Sequence, residues 1–447
     1  MKVWIANNWD DLRNSFWFIP TIMVAAAIAL SWGAIRIDKS MDDGNWMAAL
    51  GWTFSRGPEG SRAVLSTVAA SMMTIASVTF SITIVALQLA SSQFGPRLLR
   101  NFMGDRGNQI AIGTFIATFT YCLLVLRTVN GMESEEFVPH IAVTIGLALA
   151  LVSVAVLIYF IHHSAESIQA ESVIAVVAGE LHQSIERLFP ARSGESPPES
   201  VQEPAQALPE SFDRDCQPIT SEQSNYVEAI DVDSLVELAA EHGLVISLAL
   251  RPGKFSMAGG PLATVWPGEK VDDDVVGKIR SKFYFGRRRT LVQDVEFAID
   301  QLVEVAVRAL SPGVNDPFTA VNCVDRLGAA LCVAADRTFP SPYRYDDKSQ
   351  LRVVAHGTTI PGMVEAAFNQ IRQAARHDTA VTLRLLETVA AVARRTDDEE
   401  FRAALEQQAR AIHRGSESGL ADPMDRAEAD IRFDKALREL NAEPNPS

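Results

Sequence analysis

The chain has 447 residues, more than one ordinary core accommodates, with 48% hydrophobic and 21% charged side chains and a formal net charge of −15. Residues 1–163 hold ten Lys/Arg and ten Asp/Glu, so the whole excess of acid falls on the remainder, with 30 basic and 45 acidic side chains. An acidic surface is the opposite of what a phosphate backbone requires, so nucleic acid is not an expected partner.

Residues 1–163 read as a four-helix transmembrane domain. Four runs are long enough for a hydrocarbon layer that takes about 20 apolar residues in helix. They run from Phe16 to about Ile37, from about Ala63 to Ala90, from Gln109 to Val129 and from Val138 to Ile161. The first is longer than a signal-peptide core, lacks a cleavage site and reads as an uncleaved span. Tryptophans near both its ends (Trp4, Trp9, Trp17; Trp32, Trp46) suit the two interfaces.

The connections set an orientation. The loop between the second and third spans carries Arg97, Arg100 and Arg106 against Asp105, whereas that between the third and fourth has no Lys or Arg but Glu133, Glu135 and Glu136. Positive residues stay inside, which makes the arginine loop cytoplasmic and puts both termini in the cytoplasm. Lys39, Arg56 and Arg62 in the first loop run against this, offset by Asp38, Asp42, Asp43 and Glu59. The expected location is the bacterial inner (plasma) membrane, with the lipid bilayer as partner. Arg36 and Arg127, near span ends, are expected to snorkel to the interface.

The second span is crowded with hydroxyls. Thr67, Ser71, Thr74, Ser77, Ser81 and Gln88 recur at steps of three, four or seven, which is one face of a helix. Two readings stay open: a polar stripe lining a path around a homo-oligomer axis, or small residues that let helices pack closely and bond to carbonyls four residues back. At the inner end of the fourth span, His162 and Glu166 stand four apart and His163 and Glu166 three apart, so a pH-sensing pair competes with a merely solvated helix end. That helix is expected to continue as a stalk over 164–190, stopping at Pro190.

Residues 191–224 are a linker and its approach, Pro/Ser/Glu-rich over 191–211 and unable to bury enough surface to order itself. Beyond it an α+β cytoplasmic domain is expected: a small β-containing unit over 225–290 and a helical bundle over 291–447. The stretch RPGKFSMAGGPLATVW is similar to half of a biotinyl/lipoyl-type barrel, but the modifiable lysine tip is absent and no swinging-arm cofactor is expected. Leu291, Val295, Ile299, Leu302, Ala306 and Ala309 predict a helix that stops at Ser311-Pro312-Gly313. Asp316 as N-cap and Pro317 at the first helical position start the next. Asn315, Asp316, Thr319 and Asn322 are therefore a tight corner, or, with Arg287, Arg288 and Arg289, an anion-binding ligand or interface site. Everything from about Leu351 reads as helical.

Cys122, Cys216, Cys323 and Cys332 form no CxxC pair or disulfide framework, which suits a reducing compartment. The eight histidines show no metal-ligand spacing, and no nucleophile–base motif or phosphate loop appears, so neither cofactor, metal nor enzymatic activity is expected. The stretches TFSITIVALQLASSQFGPRLLRNFMGDR and ALSPGVNDPFTAVNCVDRL resemble the hallmarks of a family of predicted bacterial membrane proteins, domain of unknown function 2254. The resemblance covers nearly the whole chain and implies an inner-membrane location without a reaction or ligand. Two functions remain in view: an oligomeric channel or transport pore, or a membrane tether whose acidic domain binds a cytoplasmic protein partner.

Overall fold

The computed structural model describes residues 16–40, 57–95, 105–129, 137–191, 208–209 and 211–442. It divides into two compact units, one within residues 8–172 and one within 173–447.

The first unit is helical: α1 (Phe18–Ser40), α2 (Pro58–Phe94), α3 (Arg106–Leu126) and α4 (His140–Ser167). Each is long and apolar enough to cross a membrane. At about 1.5 Å per residue the 37-residue α2 is roughly 55 Å long, well beyond the ~30 Å of hydrocarbon in a bilayer. Pro58 sits in its first turn, where a missing N–H costs nothing. α3 is the central helix and packs against the other three, while α4 also touches α1 and α2. Gly113 sets the α1–α3 approach: a Cβ there would stand 2.6 Å from the Met23 sulfur. Large apolar side chains such as Ile22, Leu30, Leu151 and Ile158 cover the outside, the arrangement that hydrocarbon solvent requires.

The expected continuous stalk is absent. α4 ends at Ser167, Ile168 and Gln169 leave the helix, and α5 (Ala170–Leu188) begins afresh. No glycine or proline marks the break; the Ser167 hydroxyl bonds back to the Ser164 carbonyl (3.2 Å). α5 buries Val173, Ile174, Val177, Leu181 and Ile185. Within the second unit Phe189 stacks on Phe339 and Arg337 pairs with Glu186 (2.9 Å), so the supposed stalk is largely core.

The second unit continues with α6 (Phe212–Asp215), β1 (Gln217–Thr220), β2 (Asn225–Ile230), α7 (Val232–His242), β3 (Val245–Leu248), β4 (Phe255–Ser256), β5 (Pro261–Trp266), α8 (Asp273–Arg280) and β6 (Phe283–Gly286). Then come α9 (Val295–Ala309), α10 (Pro317–Ala335), the hairpin β7 (Tyr343–Tyr345) and β8 (Leu351–Val354), and α11 (Ile360–Ala374), α12 (Thr379–Ala393), α13 (Glu399–Gly419) and α14 (Pro423–Asn441). One sheet has the order β1-β5-β3-β8-β7 and the other β4-β2-β6. In the larger sheet Ile246 of β3 faces Val265 antiparallel and Val353 parallel. Leu235 and Leu238 of α7 and Val275 and Ile279 of α8 join them in one core.

This corrects the expected boundaries. β1 lies within the expected linker region, of which 192–207 and 210 fall outside the described residues, and Leu351–Val354 is a strand rather than helix. A four-residue strand leaves too short a period to read. The two halves of the barrel-like stretch also separate, β4 into one sheet and β5 into the other.

A fifth helix, α10, is long and apolar enough to cross a membrane, with a mean hydropathy of 1.4 against 1.9 to 2.8 for α1–α4. It packs within the second unit against α9 and α12, burying Cys323, Val324, Leu327 and Leu331. Six helices of this unit (α7, α8, α10, α12, α13, α14) start on an aspartate whose carboxylate accepts a backbone N–H in the first turn, a direct use for part of the acidic composition.

Candidate functional site

On α2 the residues that pack inward are Leu65, Ala69, Met72, Ala76, Thr79, Thr83, Ala86 and Ala90. At about 100° per residue, Thr67, Ser71, Thr74, Ser77, Ser81 and Gln88 lie on the opposite side. All six are exposed. The hydroxyl stripe therefore turns away from α1, α3 and α4, so packing against these three helices does not explain it. Four of its hydroxyls donate to carbonyls one turn back: Thr67 to Ala63 (2.7 Å), Thr74 to Ala70 (3.0 Å), Ser77 to Met73 (2.9 Å) and Ser81 to Ser77 (2.9 Å). Their hydrogens are occupied, so oxygen lone pairs face outward. Val78 and Val85 interrupt the stripe, and Met73, Phe80, Ile82 and Leu89 flank it with exposed apolar surface. The inter-helix hydroxyl contact expected of this span occurs elsewhere, between buried Thr118 of α3 and Ser153 of α4 (3.1 Å).

At the end where α3 begins and α4 finishes, the structure pairs His162 with Glu166 (3.2 Å) on an exposed surface. His163 does not meet Glu166. Its Nε2 lies 2.7 and 2.9 Å from the two carboxylate oxygens of Asp105, which also caps α3 by accepting from the Gly107 N–H (2.8 Å). Tyr159 stacks on the imidazole, and a Cβ at position 107 would stand 2.4 Å from Nε2. A glycine is required there for the ring to reach Asp105.

The opposite end is also closed by polar groups. Asp38 of α1, 3% exposed, accepts from the N–H groups of Ile141 (3.0 Å) and Ala142 (2.9 Å), supplying from another helix the cap that Pro139 cannot give α4. Arg62 donates twice to the Val129 carbonyl (3.2 and 2.7 Å) and the Tyr121 hydroxyl once to the Ala142 carbonyl (2.9 Å). Asp38 and Arg62 counted only as loop charges in the sequence, because their partners lie 67 or more residues away.

In the second unit the proposed arginine–corner site is not assembled. Asp316 caps α10 through the Thr319 N–H (3.2 Å) and hydroxyl (2.6 Å), and Asn315 takes a left-handed φ of 49°, which an asparagine tolerates. Asn322 is half-buried on α10. Arg289 is committed elsewhere, to Asp294 (2.7 and 3.1 Å) and Asp300 (2.5 Å), and Arg287 and Arg288 are exposed. Among the described residues no hydrogen bond joins these arginines to the corner.

Arg289 belongs instead to a network at the start of α9. Arg251 donates to both oxygens of Glu296 (2.8 and 2.9 Å) and to the Thr358 hydroxyl (3.2 Å), and Lys254 stands 4.0 Å from Glu296. Burial lifts the carboxyl of Asp294, 1% exposed, above its ordinary range against the pull of Arg289. Three cations meet three carboxylates, so the network is closed and ties the 251–254 turn to α9. α9 itself starts at Val295, one turn later than Leu291 suggested. Burial pushes the Cys323 thiol up to about 12, which leaves it inert. No cluster of three or more His, Cys, Asp or Glu residues suited to a metal occurs among the described residues.

A family model described as "Predicted membrane protein (DUF2254)" matches residues 13–391. Uncharacterized proteins of Mycobacterium bovis and Mycobacterium tuberculosis are each 34% identical to this chain over 429 residues, an alignment covering 94% of this chain and 79% of theirs. No solved structure matches. With the apolar helices of the first unit and a match over most of its length, the chain belongs to the DUF2254 family of predicted membrane proteins.

Proposed function

We propose that the protein is a multi-pass protein of the bacterial inner membrane that spans the bilayer with α1–α4, keeps both termini and the second unit in the cytoplasm, and assembles into a homo-oligomeric channel or transport pore around α2. The observation that carries this reading is the exposed polar face of α2, set opposite the face that packs. A strip of outward hydroxyl oxygens between apolar flanks is the surface that a second copy, or water in a shared path, would cover; Gln88, six residues from the end of the 37-residue α2, continues that strip toward the water beyond the hydrocarbon. Outward lone pairs without fixed charge suit hydrated cations over anions. α10, whose partners lie in the second unit, does not span the bilayer, and that unit acts as gate or vestibule.

Reconstitution in liposomes tests the reading. Cation flux is expected, Ser77→Leu and Ser81→Leu are expected to lower it, and single cysteines at Ser71 or Ser81 are expected to crosslink copies. Silent vesicles together with uncrosslinked monomers reject it. The tether reading keeps one supporting observation, the separate core of residues 173–447. A fragment beginning before α5 that folds alone and captures a cytoplasmic partner from the same cells favours tethering. Neither reading invokes catalysis.

A further inference from the structure

Between α12 and α14 lies a groove of about 240 Å³ that neither reading uses. Its floor is Ala390 and Ala391, and four of its seven lining residues are cationic: Arg384, Arg394, Arg432 and Lys435. The single acid on its wall is Glu387, held by Arg432 at 2.8 Å and Arg384 at 3.1 Å. Three other carboxylates balance these cations from outside the lining: Asp325 on Arg384, Glu428 on Arg432 and Glu439 on Arg394 (3.2 Å). Lys435 is exposed and makes no ion pair among the described residues.

Burial works against the charge of Glu387, yet the bonds from Arg432 and Arg384 outweigh it and hold the carboxyl below its usual range. The groove thus stabilises an oxyanion between two guanidinium forks, and a side chain of the fold already occupies that position. Room remains beside it. A volume of about 240 Å³ is far more than a single water needs, so the groove has space for a small ligand. Arg394, just past the end of α12, stands about two turns beyond Glu387, and Lys435 about one turn beyond Arg432 on α14, which provides cations over more than one anionic group.

We propose that the groove binds a small polyanion of the diphosphate type, whose oxygens meet Arg394 and Lys435 beside the Arg384–Glu387–Arg432 clamp, with Glu387 as a built-in competitor. The shared chemistry is clustered phosphoryl oxygen, whether of a free phosphorylated molecule or of a lipid headgroup.

Isothermal titration of the full chain in phosphatidylcholine nanodiscs with sodium pyrophosphate tests this. Saturable one-to-one binding is expected. Arg394→Gln with Lys435→Gln weakens it about tenfold, the effect of losing charge-assisted bonds. Glu387→Gln tightens it several-fold, a gain that a purely structural role for the cluster does not produce. Melting curves without pyrophosphate establish that each variant is folded. Repeating the titration in nanodiscs containing phosphatidic acid separates the sources: unchanged affinity assigns a free ligand, and weaker apparent affinity assigns a headgroup that already fills the groove. No saturable heat with the folded wild type, or binding that neither set of substitutions alters, overturns the proposal.

Discussion

In the first unit the buried carboxylate Asp38 and the half-buried Asp105 sit at helix ends, each accepting backbone N–H groups, one on a neighbouring helix and one on its own. In the second unit the buried carboxylates Asp294 and Glu296 face guanidinium groups instead, and the capping aspartates serve their own helices. The difference follows from what surrounds them. An apolar environment offers no partner in mid-helix, so charge retreats to the only places where a helix has unmet donors. The second unit carries arginines beside its buried acids, and the guanidinium fork accompanies a carboxylate into the interior. Charged groups thus hold the first unit together at its ends, with the neutral Thr118–Ser153 contact between them, whereas in the second they join the turn at 251–254, the start of α9 and the Thr358 loop.

The largest expected effect lies in the second unit. Glu296→Ala leaves Arg251, 22% exposed, with Thr358 as its remaining partner and costs about 3 kcal/mol, because an uncompensated charge stays in a poorly solvated place. Arg251→Met combined with Glu296→Leu is expected to cost clearly less than the single substitution, since it removes both charges. Denaturant melts of the full chain measure both, and equal losses would show that shape rather than charge joins these elements. Asp38→Ala comes next. It deprives two N–H groups at the start of α4 of their acceptor and is expected to cost about 2 kcal/mol, with Asp38→Asn recovering roughly half. Thermal unfolding in detergent reads this, and a wild-type melting point for the alanine variant shows that those donors have other acceptors.

Smaller is the effect of Gly107→Ala. The added methyl displaces His163 from Asp105, and a loss of about 1 kcal/mol is expected, one that largely disappears when Gly107→Ala is made in a His163→Ala background, where neither the clash nor the contact exists. If the two substitutions simply add, the glycine serves the backbone and not the imidazole.

These three sites also show what a sequence reveals. Four long apolar runs, the stripe on α2 and the Asp316-Pro317 helix start are legible because each is written in consecutive or periodic residues. Asp38 to Ala142, Asp105 to His163 and Arg251 to Glu296 join residues 104, 58 and 45 positions apart, and no local pattern announces such pairs. The same holds for β8, whose place beside β3 is decided by a partner more than 100 residues earlier. The break at Ile168–Gln169 has no breaker residue at all. Of the two readings of the Asn315–Asn322 corner, the one that added Arg289 relied on proximity along the chain, while Asp294 and Asp300 hold that side chain.

The smallest expected effect on stability is the most informative for function. Thr74→Val, Ser77→Ala and Ser81→Ala together remove three hydroxyls that, among the described residues, bond only to their own helix. The monomer's stability is therefore expected to stay within about 0.5 kcal/mol of wild type, the range of surface changes that break no specific feature. Assembly and flux are expected to change, because the surface lost is the one presented to another copy or to a shared path. A triple variant that melts, associates and conducts as the wild type does means that this face meets only lipid. The polar stripe would then be a set of self-satisfied hydroxyls, and α2 would differ from its neighbours in composition alone.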